Sequence, residues 1–206
     1  MKALTRTLLV LFICAIGSGT YTQAQEDDPV SLVIHTTGRI FSEVDQNLEK
    51  YEAEPETLQM LVRSDLLPIL DVHYSARLIL GRAGRGIEKE KIEAFAEAMV
   101  NLLVNRYASG LLMFHSSENL MVLPQRGELN EKLTRVRTRV RLPKGGEAPI
   151  DYAFHKTAEG WKAFDVIVEG ISYVSTYRNQ IMPDVRANGI DSVIVRLTKG
   201  ELDLDE

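Results

Sequence analysis

Cysteine is nearly absent from this chain. The single one, Cys14, sits in a short apolar run near the start, so neither a disulfide framework nor a thiolate metal site is available. Bilayer-length apolar stretches are also missing. The run Leu8 to Gly17 falls well short of the roughly 20 residues that a membrane-spanning helix needs. Histidine is scarce: His35, His73, His115 and His155 match no HExxH or comparable ligand spacing, which leaves zinc chemistry without a motif. No GxSxG elbow occurs, and Ser172 follows Gly170-Ile171 without that pattern. The Gly-rich stretch Gly81 to Gly86, GRAGRG, has no phosphate-loop lysine and Ser/Thr after it and no clear strand before it. It reads as a helix C-cap and joint rather than a phosphate cradle, with Arg82 and Arg85 free to meet an anionic headgroup or partner. An excess of positive charge is lacking too. The formal charge is −5, which gives no general attraction to nucleic acid.

What remains is an ordinary globular composition. Of 206 residues, 45% are hydrophobic and 26% charged, and one domain is the natural count at that length. The start reads differently. Lys2 and Arg6, the apolar run Leu8 to Gly17, and the small residues up to Thr22-Gln23-Ala24 have the layout of a secretory signal peptide. Residues 1–24 are therefore expected to be a cleaved leader, 25–200 the domain and 201–206 a loose acidic tail. A lipid anchor at Cys14 is disfavoured, because bulky Ile13 precedes it and the apolar run continues past it.

The domain opens with helical periodicity. Val30, Val33, Ile34, Thr37, Ile40, Phe41, Val44, Leu48 and Tyr51 recur at three- and four-residue spacing, one apolar stripe on a helix. Pro55 suits the first turn of a second helix, with Leu58, Leu61, Val62, Leu66 and Ile69 inward and Pro68 disturbing its end. Asp71 is a plausible N-cap for a third, up to Leu80. The longest helix is expected from Glu88 to about Phe114, with Ile92, Phe95, Met99, Leu102, Leu103, Tyr107 and Leu111 on one face.

From Asn119 the period changes to two. Leu120 to Leu123 is a candidate strand. Thr134 to Leu142 alternates Val136, Thr138, Val140 and Leu142 with Arg135, Arg137, Arg139 and Arg141, a strand with one buried and one wet face. The arginine row is either a solvated face paired with Asp151 and Glu147 or a docking surface. Ile150 to Lys156 and Trp161 to Glu169 form a hairpin about Thr157 to Gly160. Its second strand is apolar on both phases: Phe164, Val166 and Val168 on one, Trp161, Ala163 and Ile167 on the other. Such a strand is either buried on both faces or lines a cavity. Asp165, between Phe164 and Val166, is the one acid worth weighing as a base, with Tyr152, Tyr173 or Tyr177 as a hydroxyl partner. The plainer reading pairs it with Lys162 or a neighbouring arginine. Ile171, Val174, Tyr177 and Ile181 return to helical spacing, and Asn188-Gly189 sets off a last segment, Ile190 to Lys199. Helices, then antiparallel strands, then helices is the order of an α+β domain.

Four segments together resemble the MlaC family, the periplasmic phospholipid-binding toluene-tolerance components. They are Leu80-Gly81 with Phe95 and Leu102-Leu103; Tyr107-Ala108 with Leu111; Ile150-Asp151-Tyr152; and GWKAFDVIVEGISYVSTYRNQI, Gly160 to Ile181. Trp161, Asp165, Gly170, Ser172, Tyr177 and Arg178 carry the last. The chain departs from that family's pattern after Leu80-Gly81, where RAGRG replaces a usual tryptophan, and at Met99 in place of a phenylalanine.

The resemblance implies an α+β fold, likened to the NTF2-like one, with helices around a curved antiparallel β-sheet enclosing an apolar pocket. It implies a periplasmic shuttle, not an enzyme, with no cofactor, that keeps the outer membrane's lipid asymmetry. The implied ligand is a glycerophospholipid. The implied partners are an inner-membrane ABC-type lipid transporter complex and an outer-membrane lipoprotein–porin complex, with no nucleic acid. Tail contacts carried over fall on Leu103, Tyr107, Leu111, Val136, Val140, Tyr152, Phe154, Phe164, Val166, Val168, Val174 and Tyr177. Two other readings stay open: an isomerase-like enzyme with Asp165 as base, and an interaction module using the arginine face.

Overall fold

Asp28 starts the described chain as a helix cap. Its Oδ1 accepts from the amides of Val30 (2.9 Å) and Ser31 (3.1 Å), and Pro29 takes the first turn, where its missing N–H costs nothing. The computed structural model describes residues 28–113, 119–124, 130, 132–142, 145–202 and 204. The expected leader, together with Phe114 and His115, lies outside them.

Helix α1 spans Pro29–Gln46 and buries Val33, Ile40, Phe41 and Val44, the expected stripe. The stripe does not run through one helix. The chain breaks at Asn47 and continues as α2, Leu48–Ala53, where the Tyr51 hydroxyl reaches back to Glu43 (3.1 Å). Helix α3 is Pro55–Asp65, and Pro68 falls in a 3-10 turn, Leu67–Ile69. Helix α4, Val72–Leu80, starts at Asp71, whose carboxylate accepts from the Tyr74 amide (2.8 Å). Helix α5 is Lys89–Tyr107 and tightens into a 3-10 turn at Ala108–Met113, earlier than its periodicity suggests.

Five antiparallel strands follow in the order β1-β2-β3-β4-β5: Leu120–Val122, Leu133–Arg141, Glu147–Thr157, Gly160–Val168 and Ile171–Ser172. The expected alternation of β2 holds. Val136, Thr138 and Val140 are buried, while Arg135 and Arg141 are exposed. The turn into β5 uses Glu169 and Gly170, both at positive φ (51° and 86°), the geometry of a two-residue type I′ hairpin. Helix α6, Tyr173–Lys199, is interrupted at Gly189, whose φ of 78° and ψ of 163° no helix accommodates.

The hairpin differs from expectation in one respect. Across β3 and β4, Ala153 pairs with Asp165 but Phe154 pairs with Ala163, leaving Phe164 as an extra residue. That is a β-bulge, which bends the strand and switches its phase. Paired residues share a face, so the registers place Val136, Tyr152 and Val166 in one row of the inner face. Thr138, Ile150 and Val168 form the next row, and Thr134, Phe154 and Ala163 a third. Trp161 and Ala163 therefore join Val166 and Val168 instead of opposing them. The phase change accounts for Trp161 and Ala163, while Ile167, paired with Asp151, stays on the opposite face and is buried there.

After Gly200, Glu201 is exposed, but the two described leucines are not solvated. Leu202 and Leu204 are buried with α4, α5 and α6, and Arg106 donates to the Leu204 carbonyl. Alternating leucines supply burial that the flanking acids mask in composition.

Candidate functional site

Buried apolar residues fall into three clusters. One joins α4, α5 and α6 about Phe95, Leu80 and Ile181. A second joins α1, α2, α3 and the end of α5 about Leu58, Val44 and Val104. A third seats Val33 of α1 on Val136, Phe154 and Ala163 of the sheet. A domain of this size usually has one contiguous core. Here the clusters are bordered by large apolar side chains that are only partly buried: Leu103 and Tyr173 at the first, Leu111 at the second, Tyr152 and Trp161 at the third.

Tyr152 defines this border best. Burial pushes its hydroxyl up to about 12. Yet the residue keeps accessible surface. Tyr152 packs against the sheet cluster with one part of its side chain and keeps the rest of its surface free. The sign of the shift fixes a prediction. Ionisation is disfavoured in the folded state relative to the ordinary value of 10.0. This group's contribution is therefore intact below pH 10 and is lost as pH rises through 12. Urea midpoints measured from pH 9 to pH 12 should show Tyr152→Phe losing less stability than the parent, by on the order of 2 kcal/mol. Parallel curves would contradict the burial of this hydroxyl.

Three tyrosines gather where α5 ends and α6 begins. The hydroxyls of Tyr107 and Tyr177 are 3.3 Å apart. Tyr173 meets Tyr107 edge-on at 6.2 Å and Tyr177 at 5.9 Å between ring centroids. Tyr107 stays 36% exposed while Tyr177 is buried. Sequence reasoning named Tyr107 and Tyr177 for the wall, and the structure brings them together. Tyr173 was named there only as a possible hydroxyl partner of Asp165, although its helical spacing to Tyr177 also placed it beside that residue.

The other expected wall residues divide. Val166 and Val168 are partly buried and share the inner face with Tyr152, as does buried Val136. Leu103 and Leu111 border the helical clusters. Val140 is buried on the inner face, Phe154 is fully buried in the sheet cluster, and Val174 belongs to the helical core. Phe164 is not with the others. The bulge turns it toward His155 and Tyr74, at 5.5 and 5.3 Å between centroids. There His155 stacks on Tyr74 and meets Asp71 through Nε2 at 2.9 Å.

Asp165 does not pair with Lys162 or an arginine. Its Oδ2 accepts from Ser172 Oγ (2.5 Å) and its Oδ1 from the Val174 amide (3.0 Å). Both carboxylate oxygens thus hold the N-terminus of α6, where an anion meets the helix dipole. The Ser172 N-cap that starts α6 was the signal for this. Asp165→Ala should lower stability by about 1–2 kcal/mol in urea denaturation and leave lipid transfer per folded molecule unchanged. Transfer abolished in a stable Asp165→Ala chain would restore a chemical role for this acid.

The arginine row faces outward. Arg135 lies 3.7 Å from Asp151, and Arg137 donates to the Pro124 carbonyl (2.6 Å). Among the described residues no group of three His, Cys, Asp or Glu is placed to hold a metal, and no described helix is long and apolar enough to cross a membrane.

Comparison with known proteins adds the following. The family model described as MlaC protein matches residues 35–199. A Haemophilus influenzae relative named intermembrane phospholipid transport system binding protein MlaC is 24% identical over 194 residues, spanning 92% of this chain and 89% of the relative. The Pseudomonas putida toluene tolerance protein ttg2D is 24% identical over 192 residues, with 93% and 86% covered. A solved phospholipid-binding protein from Ralstonia solanacearum, in complex with a phospholipid, shares the fold. Its TM-score is 0.75 at 20% identity, and the match covers 87% of this chain and 100% of that one.

Proposed function

Because this chain belongs to the MlaC family, we propose that it binds a glycerophospholipid and carries it through the periplasm. The carriage runs between an outer-membrane lipoprotein–porin complex and an inner-membrane ABC-type lipid transporter, and it keeps the outer membrane's lipid asymmetry. The observation that supports this reading is the border between the three core clusters, where the large apolar side chains of Leu103, Leu111, Tyr152 and Trp161 are only partly buried. The names of the relatives, a phospholipid transport binding protein and a toluene tolerance protein, point the same way.

Energetics favour such a carrier. Two acyl chains of about 16 carbons gain roughly 25 kcal/mol on leaving water, at about 0.8 kcal/mol per methylene. Free lipid therefore crosses an aqueous gap very slowly. A wall of Tyr152, Val166, Val168, Leu103 and Leu111 side chains offers the tails surroundings about as apolar as a bilayer. Exchange with a membrane then costs little in either direction. The chain has no nucleotide-binding motif, so any net drive comes from a partner.

Transfer of a fluorescent phospholipid between two vesicle populations tests the shuttle. The rate should rise in proportion to the concentration of the protein. A rate equal to that of vesicles alone would sink the proposal.

A further inference from the structure

A second feature lies apart from the apolar wall. Helix α4, the Gly81–Gly86 turn and helix α6 frame an open cleft of about 630 Å³. Five arginines line it: Arg77, Arg82, Arg85, Arg178 and Arg186. No carboxylate does, and no residue of the apolar wall takes part. Arg178 Nε donates to the Leu78 carbonyl (2.6 Å), which ties α6 to α4. Among the described residues the other four make no ion pair. Leu78 and Pro183, which keep accessible surface, give the cleft its apolar lining.

Four arginines with no ion pair among the described residues, converging on one concavity, form a costly arrangement, since like charges repel. It is also a local reversal on a chain of formal charge −5. Guanidinium forks engage carboxylates in paired hydrogen bonds. A concave site with an apolar lining suits a protruding chain carrying both acidic and apolar side chains, and fits a flat membrane surface poorly.

We infer that this cleft docks an acidic segment of a partner protein. The inference rests on the shuttle reading for the need of a partner, but its test does not need lipid. Electrostatic attraction across the cleft steers the partner's approach, and the arginine forks fix its register. Because Arg178 follows Tyr177 on α6, a segment seated there bears on the helix that carries the tyrosine cluster.

The probe is a fluorescein-labelled synthetic peptide rich in glutamate and leucine, titrated with the purified protein by fluorescence anisotropy. Arg82→Glu with Arg85→Glu should weaken binding by about tenfold or more, two exposed charge contacts amounting to about 1.4 kcal/mol. Arg135→Glu with Arg141→Glu, on the outer face of the sheet, should change it by less than about twofold at moderate salt. Inorganic phosphate and phosphatidylglycerol vesicles serve as competing probes and should bind more weakly than the peptide. The parent chain failing to bind the peptide, equal loss in both charge-reversed pairs, or preference for the vesicles would each overturn the inference. So would loss of co-purified phospholipid from the Arg82→Glu, Arg85→Glu chain, which would assign the cleft to the cargo. Peptide binding confined to the cleft in a chain that carries no lipid at all would uphold the docking site and remove the shuttle reading.

Discussion

Val166→Trp leaves the chain folded and largely empty of phospholipid. Val166 is partly buried and stands in one row of the inner face with Val136 and Tyr152. An indole there occupies space that the account gives to an acyl chain. Excluding about four methylenes, at about 0.8 kcal/mol each, weakens lipid binding by about 3 kcal/mol, more than about a hundredfold. Were this region packed core instead, the same change would overpack it and cost about 1–3 kcal/mol of stability. Thermal melts and phosphorus analysis of the purified variant separate these outcomes. A folded Val166→Trp chain that retains its full phospholipid would contradict the proposed wall.

Leu202→Ala with Leu204→Ala destabilises the domain by at least about 4 kcal/mol, since each buried Leu→Ala change typically costs about 2–5 kcal/mol. Leu204 is 1% exposed and Leu202 7%, and the Leu204 carbonyl accepts from Arg106 of α5. Were this segment solvated, both changes would fall within about 0.5 kcal/mol, as surface substitutions do. Urea denaturation of the double variant decides between them. A midpoint matching that of the parent would return residues 201–206 to the role of a loose tail.

The second prediction shows where the sequence misleads. In GELDLDE four acids surround two leucines, and composition reads as solvent. Only the position of the preceding helix end decides whether the leucines meet a core. Periodicity served better in long elements. The buried stripe of α1 and the Val136-Thr138-Val140 face of β2 lie where their spacing puts them. One cap was legible as well: Asp71 stands just ahead of a periodic run and accepts from the Tyr74 amide, whereas Ser172, which accepts from the Ser175 amide, was not read as a cap.

The hairpin was legible as a hairpin but not in its phase. The pattern of β4 shows apolar residues at 161, 163, 164, 166, 167 and 168, and only the pairing shows that Phe164 is the bulged residue. Hence Phe164 was placed in the wall but stands with Tyr74 and His155. The distinction between wall and core is harder still. Both use the same residue types at the same spacing, so Val136 and Val166 look alike in sequence, and one is buried while the other keeps free surface. The arginine cleft was unreadable for another reason. Arg77, Arg82 and Arg85 come from one segment and Arg178 and Arg186 from another, and only the packing of α4 on α6 brings them together.

The most direct measurement is organic extraction of the purified protein followed by mass spectrometry of the extract. The account predicts about one phospholipid per chain, held by a wall whose burial of two acyl tails outweighs dilution. A stably folded chain that yields no phospholipid, and takes up none from vesicles, would contradict it.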